Sequence, residues 1–86
     1  MERSVEIGSY DPDSGLHLVW TAGFMITVEC NSGEVVISAN KAGLTSLAQH
    51  FLTLAEDGVP SGSHVHLEAS RELEDESVDL VIEYTE

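Results

Sequence analysis

Apolar and polar residues alternate with a period of two along much of the first forty positions. In "SVEIGSY", Val5, Ile7 and Ser9 fall on one side and Glu6, Gly8 and Tyr10 on the other. "LHLVWTA" sets Leu16, Leu18 and Trp20 against His17, Val19 and Thr21. "FMITVEC" sets Phe24, Ile26, Val28 and Cys30 against Met25, Thr27 and Glu29, and "EVVISA" follows it. Neighbouring side chains of a strand point to opposite faces, so each segment reads as a strand with one face for a core. The links carry turn chemistry: "DPDSG", Gly23, and "NSG", the last being the clearest hairpin signal in the chain.

At Asn40 the period changes. Leu44, Leu47, Ala48, Phe51, Leu52 and Ala55 recur at helical spacing, away from Thr45, Gln49, Thr53 and Glu56. Asn40 is a good N-cap, Gly58 suits a helix end, and Pro60 prevents continuation. The spacing predicts one amphipathic helix from about Lys41 to Asp57. Alternation then returns. "HVHLEA" places Val65 and Leu67 opposite His64, His66 and Glu68. An acidic link, "RELEDES", leads to "VDLVIEYT", where Val78, Leu80, Ile82 and Tyr84 oppose Asp79, Val81 and Glu83.

The order is four strands, one helix, two strands, in a single domain over residues 1–86. This is an α+β pattern: an antiparallel sheet of about six strands with the helix on one face, a two-layer sandwich. On this reading the helix covers Phe24, Ile26, Val35, Ile37, Val65, Leu67, Leu80 and Ile82, with Cys30 on the same side. Trp20 belongs with the core, or else serves as an interface anchor. The other face carries Met25, Val19, Val36 and Val81 among His17, His64, His66, Glu68, threonines and acids. Apolar residues rimmed by polar ones resemble an interface.

Charge narrows the function. Sixteen acids against 3 bases give a formal net charge of -13. Such a chain repels nucleic acid and anionic membranes, and attracts basic proteins. A hydrophobic fraction of 42% supplies ordinary core material, so the charge does not imply disorder. The single cysteine allows no internal disulfide, and "MERSVEIGSY" lacks the pattern of a signal peptide. A cytoplasmic location is the expectation.

His64 and His66 are the most suggestive chemistry. Two residues apart on a strand, they share a face and would both reach one zinc ion. No motif supplies a third ligand, so no metal and no cofactor are expected; a small metal-binding enzyme or sensor built on His64 and His66 is the alternative. No nucleophile motif or phosphate-binding loop accompanies them, and no catalytic residue is assigned. The reading that asks least is a partner-binding face of His64, His66, Glu68, His17, Met25 and Val36. The acids Glu72, Glu74, Asp75 and Glu76 of a solvated link would add contacts for a basic partner. A self-associating domain is a further alternative, with the chain a monomer or a homodimer.

"NKAGLTSLAQHFLTLAEDGVPSGSHVHLE", followed by "LEDESVDLVIEY", resembles the immunity protein 32 family of bacterial polymorphic toxin systems. The resemblance rests on Asn40, Gly43 and Leu44 at the helix start, the Leu-Ala-rich helix, the Gly-Ser-His-x-His-Leu strand and the late Leu-Val-Ile-Glu strand. It covers the second half of the chain. It implies a small cytoplasmic, non-catalytic protein that binds and neutralises a cognate toxin domain.

Overall fold

A computed structural model describes residues 2–86 of the chain. The elements are β1 (Ser9–Asp11), β2 (Gly15–His17), β3 (Ile26–Asn31), β4 (Glu34–Ala39), α1 (Lys41–Leu54), β5 (His64–Leu67) and β6 (Leu80–Glu83). Among the described residues, one helix and six strands make an α+β fold, in the order the sequence pattern predicts. The strands pair as three antiparallel ribbons, β1–β2, β3–β4 and β5–β6.

The β3–β4 hairpin turns over two residues. Ser32 and Gly33 both take positive φ, 48° and 87°, the conformation whose twist matches the flanking strands. This sets the register from Asn31↔Glu34 to Ile26↔Ala39. The far edge of β3 is covered by the acidic link. Glu74 N–H donates to the Ile26 carbonyl at 2.9 Å, and Val78 N–H to the Val28 carbonyl at 2.9 Å. Val28 N–H donates to the Ser77 hydroxyl at 3.0 Å, where a regular ladder would offer a carbonyl. A side chain standing in for backbone is why β3 and the chain leading into β6 do not form one regular sheet. It also corrects the expectation of a solvated link: residues 74–78 are held against β3 at Glu74, Ser77 and Val78, with a turn between them closed by Ser77 N–H donating to the Glu74 carbonyl at 3.0 Å.

Asn40 anchors the helix. Its Oδ1 accepts Gly43 N–H at 2.8 Å and Met25 N–H at 3.0 Å, while its Nδ2 donates to the Gly23 carbonyl at 2.9 Å. One amide thus caps α1 and ties its start to the approach of β3. Gly43 lies so close to β3 that a β-carbon there would meet the Met25 carbonyl oxygen at 2.6 Å. The helix ends earlier than predicted, at Leu54. Ala55 N–H donates to the Phe51 carbonyl and Glu56 N–H only three residues back, to Thr53, a tightened last turn.

The rotation of α1 differs from the expected one. Gly43, Ser46, Leu47, Gln49, His50, Thr53 and Leu54 are buried. Leu44, Phe51, Leu52 and Ala55, assigned to the core by spacing, are exposed, Leu44 at 55%. The cause is the N-terminal segment, which runs along the polar side of α1. Gly8 N–H donates to Thr53 Oγ1 at 2.9 Å, Gln49 Nε2 to the Glu6 carbonyl at 2.8 Å, and Thr21 N–H to Ser46 Oγ at 2.8 Å. Backbone groups need partners wherever water is excluded, so the polar stripe of the helix turns toward a strap that has them to satisfy.

The core is Ile26, Val28, Leu47, Leu54, Val65, Leu67 and Leu73. Leu16, Leu18, Trp20, Phe24, Leu80, Ile82 and Tyr84 pack around it, as alternation predicts. Val35, Ile37 and Cys30 do not join. The outer half of the hairpin extends past the helix, leaving Val35 61% exposed and Cys30 exposed too.

Candidate functional site

Alternation along β3 and β5 decides which side chains face away from the core. Ile26 and Val28 point in, so Met25, Thr27 and Glu29 point out; Val65 and Leu67 point in, so His64 and His66 point out. Two outward surfaces result.

The first lies where the acidic link meets the β3–β4 hairpin. Met25, Thr27, Ser38, Ala39, Asn40, Glu74 and Glu76 line a shallow cleft of about 400 Å³. Met25 is 54% exposed, and Val36 lies further along β4, paired with Glu29. The structure therefore brings together Met25, Glu74 and Glu76, which are some fifty residues apart in sequence. The hydrogen bond from Glu74 N–H to Ile26 does the placing. An apolar residue beside two carboxylates suits a partner side chain that is apolar along its stem and cationic at its tip, a lysine or arginine.

The second surface is the outer side of the β5–β6 ribbon. His64 and His66 stand together, ring centroids 4.9 Å apart, and His64 Nδ1 lies 3.0 Å from the Gly62 carbonyl. Their cross-strand partners are Glu83 and Val81, the latter 50% exposed. Glu68 is half-buried at the end of β5 and faces Arg71 at 3.9 Å.

The other residues singled out by sequence go elsewhere. His17 lies on the β1–β2 ribbon, its Nε2 2.7 Å from Ser14 Oγ, and that ribbon pairs with neither β3 nor β5. Glu72 accepts the Glu68 N–H at 3.0 Å through its carboxylate, a local turn contact. Asp75 is exposed. Among the described residues, no three His, Cys, Asp or Glu side chains are grouped to hold a metal ion. No helix is long and apolar enough to cross a membrane among the described residues.

His50 was not singled out by sequence, and it is fully buried with neither ring nitrogen hydrogen-bonded among the described residues. Its ring meets Trp20 edge-on, centroids 4.1 Å apart. Burial holds its pKa below the ordinary histidine value of 6.5, outweighing the approach of the Val19 backbone, which falls short of a hydrogen bond. A basic group with a depressed folded pKa stays neutral while the unfolded chain takes up a proton. Its contribution is therefore intact above the unfolded pKa and is lost as pH falls below it. His50→Phe, which keeps the ring against Trp20, is expected to flatten the fall in stability between about pH 7 and pH 5, by at most about 1.4 kcal/mol per pH unit. Urea unfolding of both proteins across that range checks this; parallel pH profiles would remove His50 from the account.

Residues 34–85 match the family model described as Immunity protein 32. The matched stretch runs from the start of β4 through α1, β5 and the acidic link to the end of β6. No curated protein and no solved structure matches the chain.

Proposed function

We propose, because this chain belongs to the Immunity protein 32 family, that it blocks a basic toxin domain with the face where the acidic link meets the hairpin. Membership implies a toxin-neutralising role carried out by binding. The finer reading is that neutralisation involves no catalysis and no cofactor, takes place in the cytoplasm, and uses the chain as a monomer or homodimer. The toxin contacts Met25 and Val36 as apolar anchors, with Glu74, Asp75 and Glu76 around them. His64, His66 and Glu68 extend the contact onto the β5–β6 ribbon. Glu72, held in a local turn, and His17, on the separate β1–β2 ribbon, are left out of this contact.

The observation that supports this reading is the pinning of the link to β3. It holds carboxylates at a fixed place beside an exposed methionine, instead of leaving them on a mobile loop. A net charge of -13 then steers a cationic partner over distances of about a Debye length, roughly 8–10 Å at physiological salt.

The test begins with capture from extract at low salt and continues with the purified toxin domain so identified. Its association rate is expected to fall steeply as ionic strength rises to physiological levels. Joint Glu74→Gln and Glu76→Gln substitution should slow association several-fold at low salt and leave dissociation nearly unchanged. Met25→Ala should instead speed dissociation by about tenfold, the usual weight of a buried anchor. An association rate indifferent to salt would remove the steering argument, and unaltered kinetics in all these variants would move the interface elsewhere.

A further inference from the structure

We infer that the open edge of β4 accepts an extended, lysine- or arginine-bearing segment of the toxin as an added strand. The inference rests on the toxin-binding reading above and assigns it a second contact, by backbone rather than side chain.

Among the described residues, β4 pairs with β3 alone, in unbroken register over all six of its residues. A two-residue turn makes Asn31 and Glu34 a hydrogen-bonded pair, and such pairs alternate along an antiparallel ladder. Glu29↔Val36 and Thr27↔Ser38 are then hydrogen-bonded too. The bond from Asn40 N–H to the Met25 carbonyl, at 3.2 Å, continues the same alternation. It follows that the N–H and C=O of Val35 and Ile37 point away from β3. Among the described residues, neither makes a hydrogen bond outside the β3 ladder.

Edges of this kind are normally blunted by lysine, proline, a bulge or a covering loop, because they template pairing with other chains. Glu34–Ala39 has none of the first three, and every residue from Glu34 to Ser38 is exposed. Val35 and Ile37 add apolar side chains on one face of the edge and Val36 on the other. Outward donors and acceptors at two-residue spacing match an extended strand; a helix presents no such row.

Charge selects the occupant. Glu34 lies on the edge strand itself, Glu29 lies one strand in, across from Val36, and the nearest cation in sequence, Lys41, lies beyond Asn40 on α1. A second copy would bring its own net charge of -13 and another Glu34. A cationic segment meets attraction where a second copy meets repulsion.

The probe is a blocked peptide of alternating lysine and valine, with alternating glutamate and valine as control. Amide hydrogen exchange in the full chain is the readout. At saturating lysine–valine peptide, the Val35 and Ile37 amides are expected to slow by about tenfold or more, while Val36 and Ser38, already in the ladder, change little. The glutamate–valine peptide should do nothing. Ile37→Pro deletes only an outward N–H, so it should abolish the effect at Val35 and keep the β3 amides protected. Val35→Lys should do the same by charge if the proline disturbs the hairpin.

No peptide binding, or binding that leaves Val35 and Ile37 fast, overturns the inference. So does edge protection that rises with protein concentration alone, which would assign the edge to a second copy. The toxin-binding reading fails separately. A toxin domain that binds while these amides stay fast leaves that reading standing and removes this one.

Discussion

Leu73→Ala is expected to cost about 2–5 kcal/mol of folding stability, the range for emptying a well-packed leucine site. Leu73 is 2% exposed and joins the same core as Ile26, Val28 and Leu67. Native domains have only about 5–15 kcal/mol in total, and a small domain lies toward the low end, so a large share would go. The residue also sits at the head of the acidic link. Its N–H donates to the Glu68 carbonyl at 3.0 Å, and the next residue, Glu74, bonds to β3. Loosening Leu73 therefore releases the carboxylates proposed to meet the toxin. Val78→Ala, at an exposed position of the same segment, should cost under about 1 kcal/mol. Urea unfolding of the two variants compares them. Equal losses would show that the link is not anchored through the core.

Gly8→Ala is the second large effect. A β-carbon at Gly8 would overlap the His17 carbonyl oxygen and come within 2.9 Å of its carbonyl carbon and 3.2 Å of Leu18 Cα. All three are backbone atoms, so no side chain can rotate out of the way. Either the strap detaches or its partner segment shifts. Overpacking costs about 1–3 kcal/mol, and a clash with backbone belongs at the upper end. Detachment limits the loss, because the strap is held to α1 by a few hydrogen bonds, each worth about 1 kcal/mol net. The expected outcome is a loss near 3 kcal/mol, with new proteolytic cleavage around the Asp11–Gly15 turn. Unchanged stability with unchanged cleavage would mean that the strap does not approach β2 as described.

The two substitutions mark what could be read from sequence. Alternation gave Ile26 and Val28, Val65 and Leu67, and Leu80 and Ile82 as inward, because β3, β5 and β6 each have one face on the core and a one-residue slip would invert it. Cys30 and Val78, placed inward by the same alternation, are exposed because they lie beyond the core's reach. The Asn-Ser-Gly turn and the Asn40 cap were also legible, since both depend on local chemistry. The rotation of α1 was not. Leu44, Phe51 and Leu52 form a fair apolar stripe, and periodicity alone sends such a stripe inward. Ser46, Gln49 and Thr53 outweigh it through hydrogen bonds to residues 6, 8 and 21, which no local window contains. His50 was missed for the same reason: its burial follows from that rotation. The site was legible as residue types and not as a place. Nothing in "RELEDES" says that Ser77 takes an amide of β3 and so carries Glu74 and Glu76 to Met25.

The exposed position of Cys30 has a practical consequence. It is the only thiol in the chain, and it lies opposite Val35 in the β3–β4 register. A fluorophore or spin label can therefore be attached at a single defined point on the hairpin without first removing other cysteines. Such a label would lie across the ribbon from the edge assigned to an incoming strand, close enough to sense its arrival and off the row of atoms it would pair with. The same thiol calls for a reducing buffer, because oxidation would link two molecules tip to tip and counterfeit a dimer.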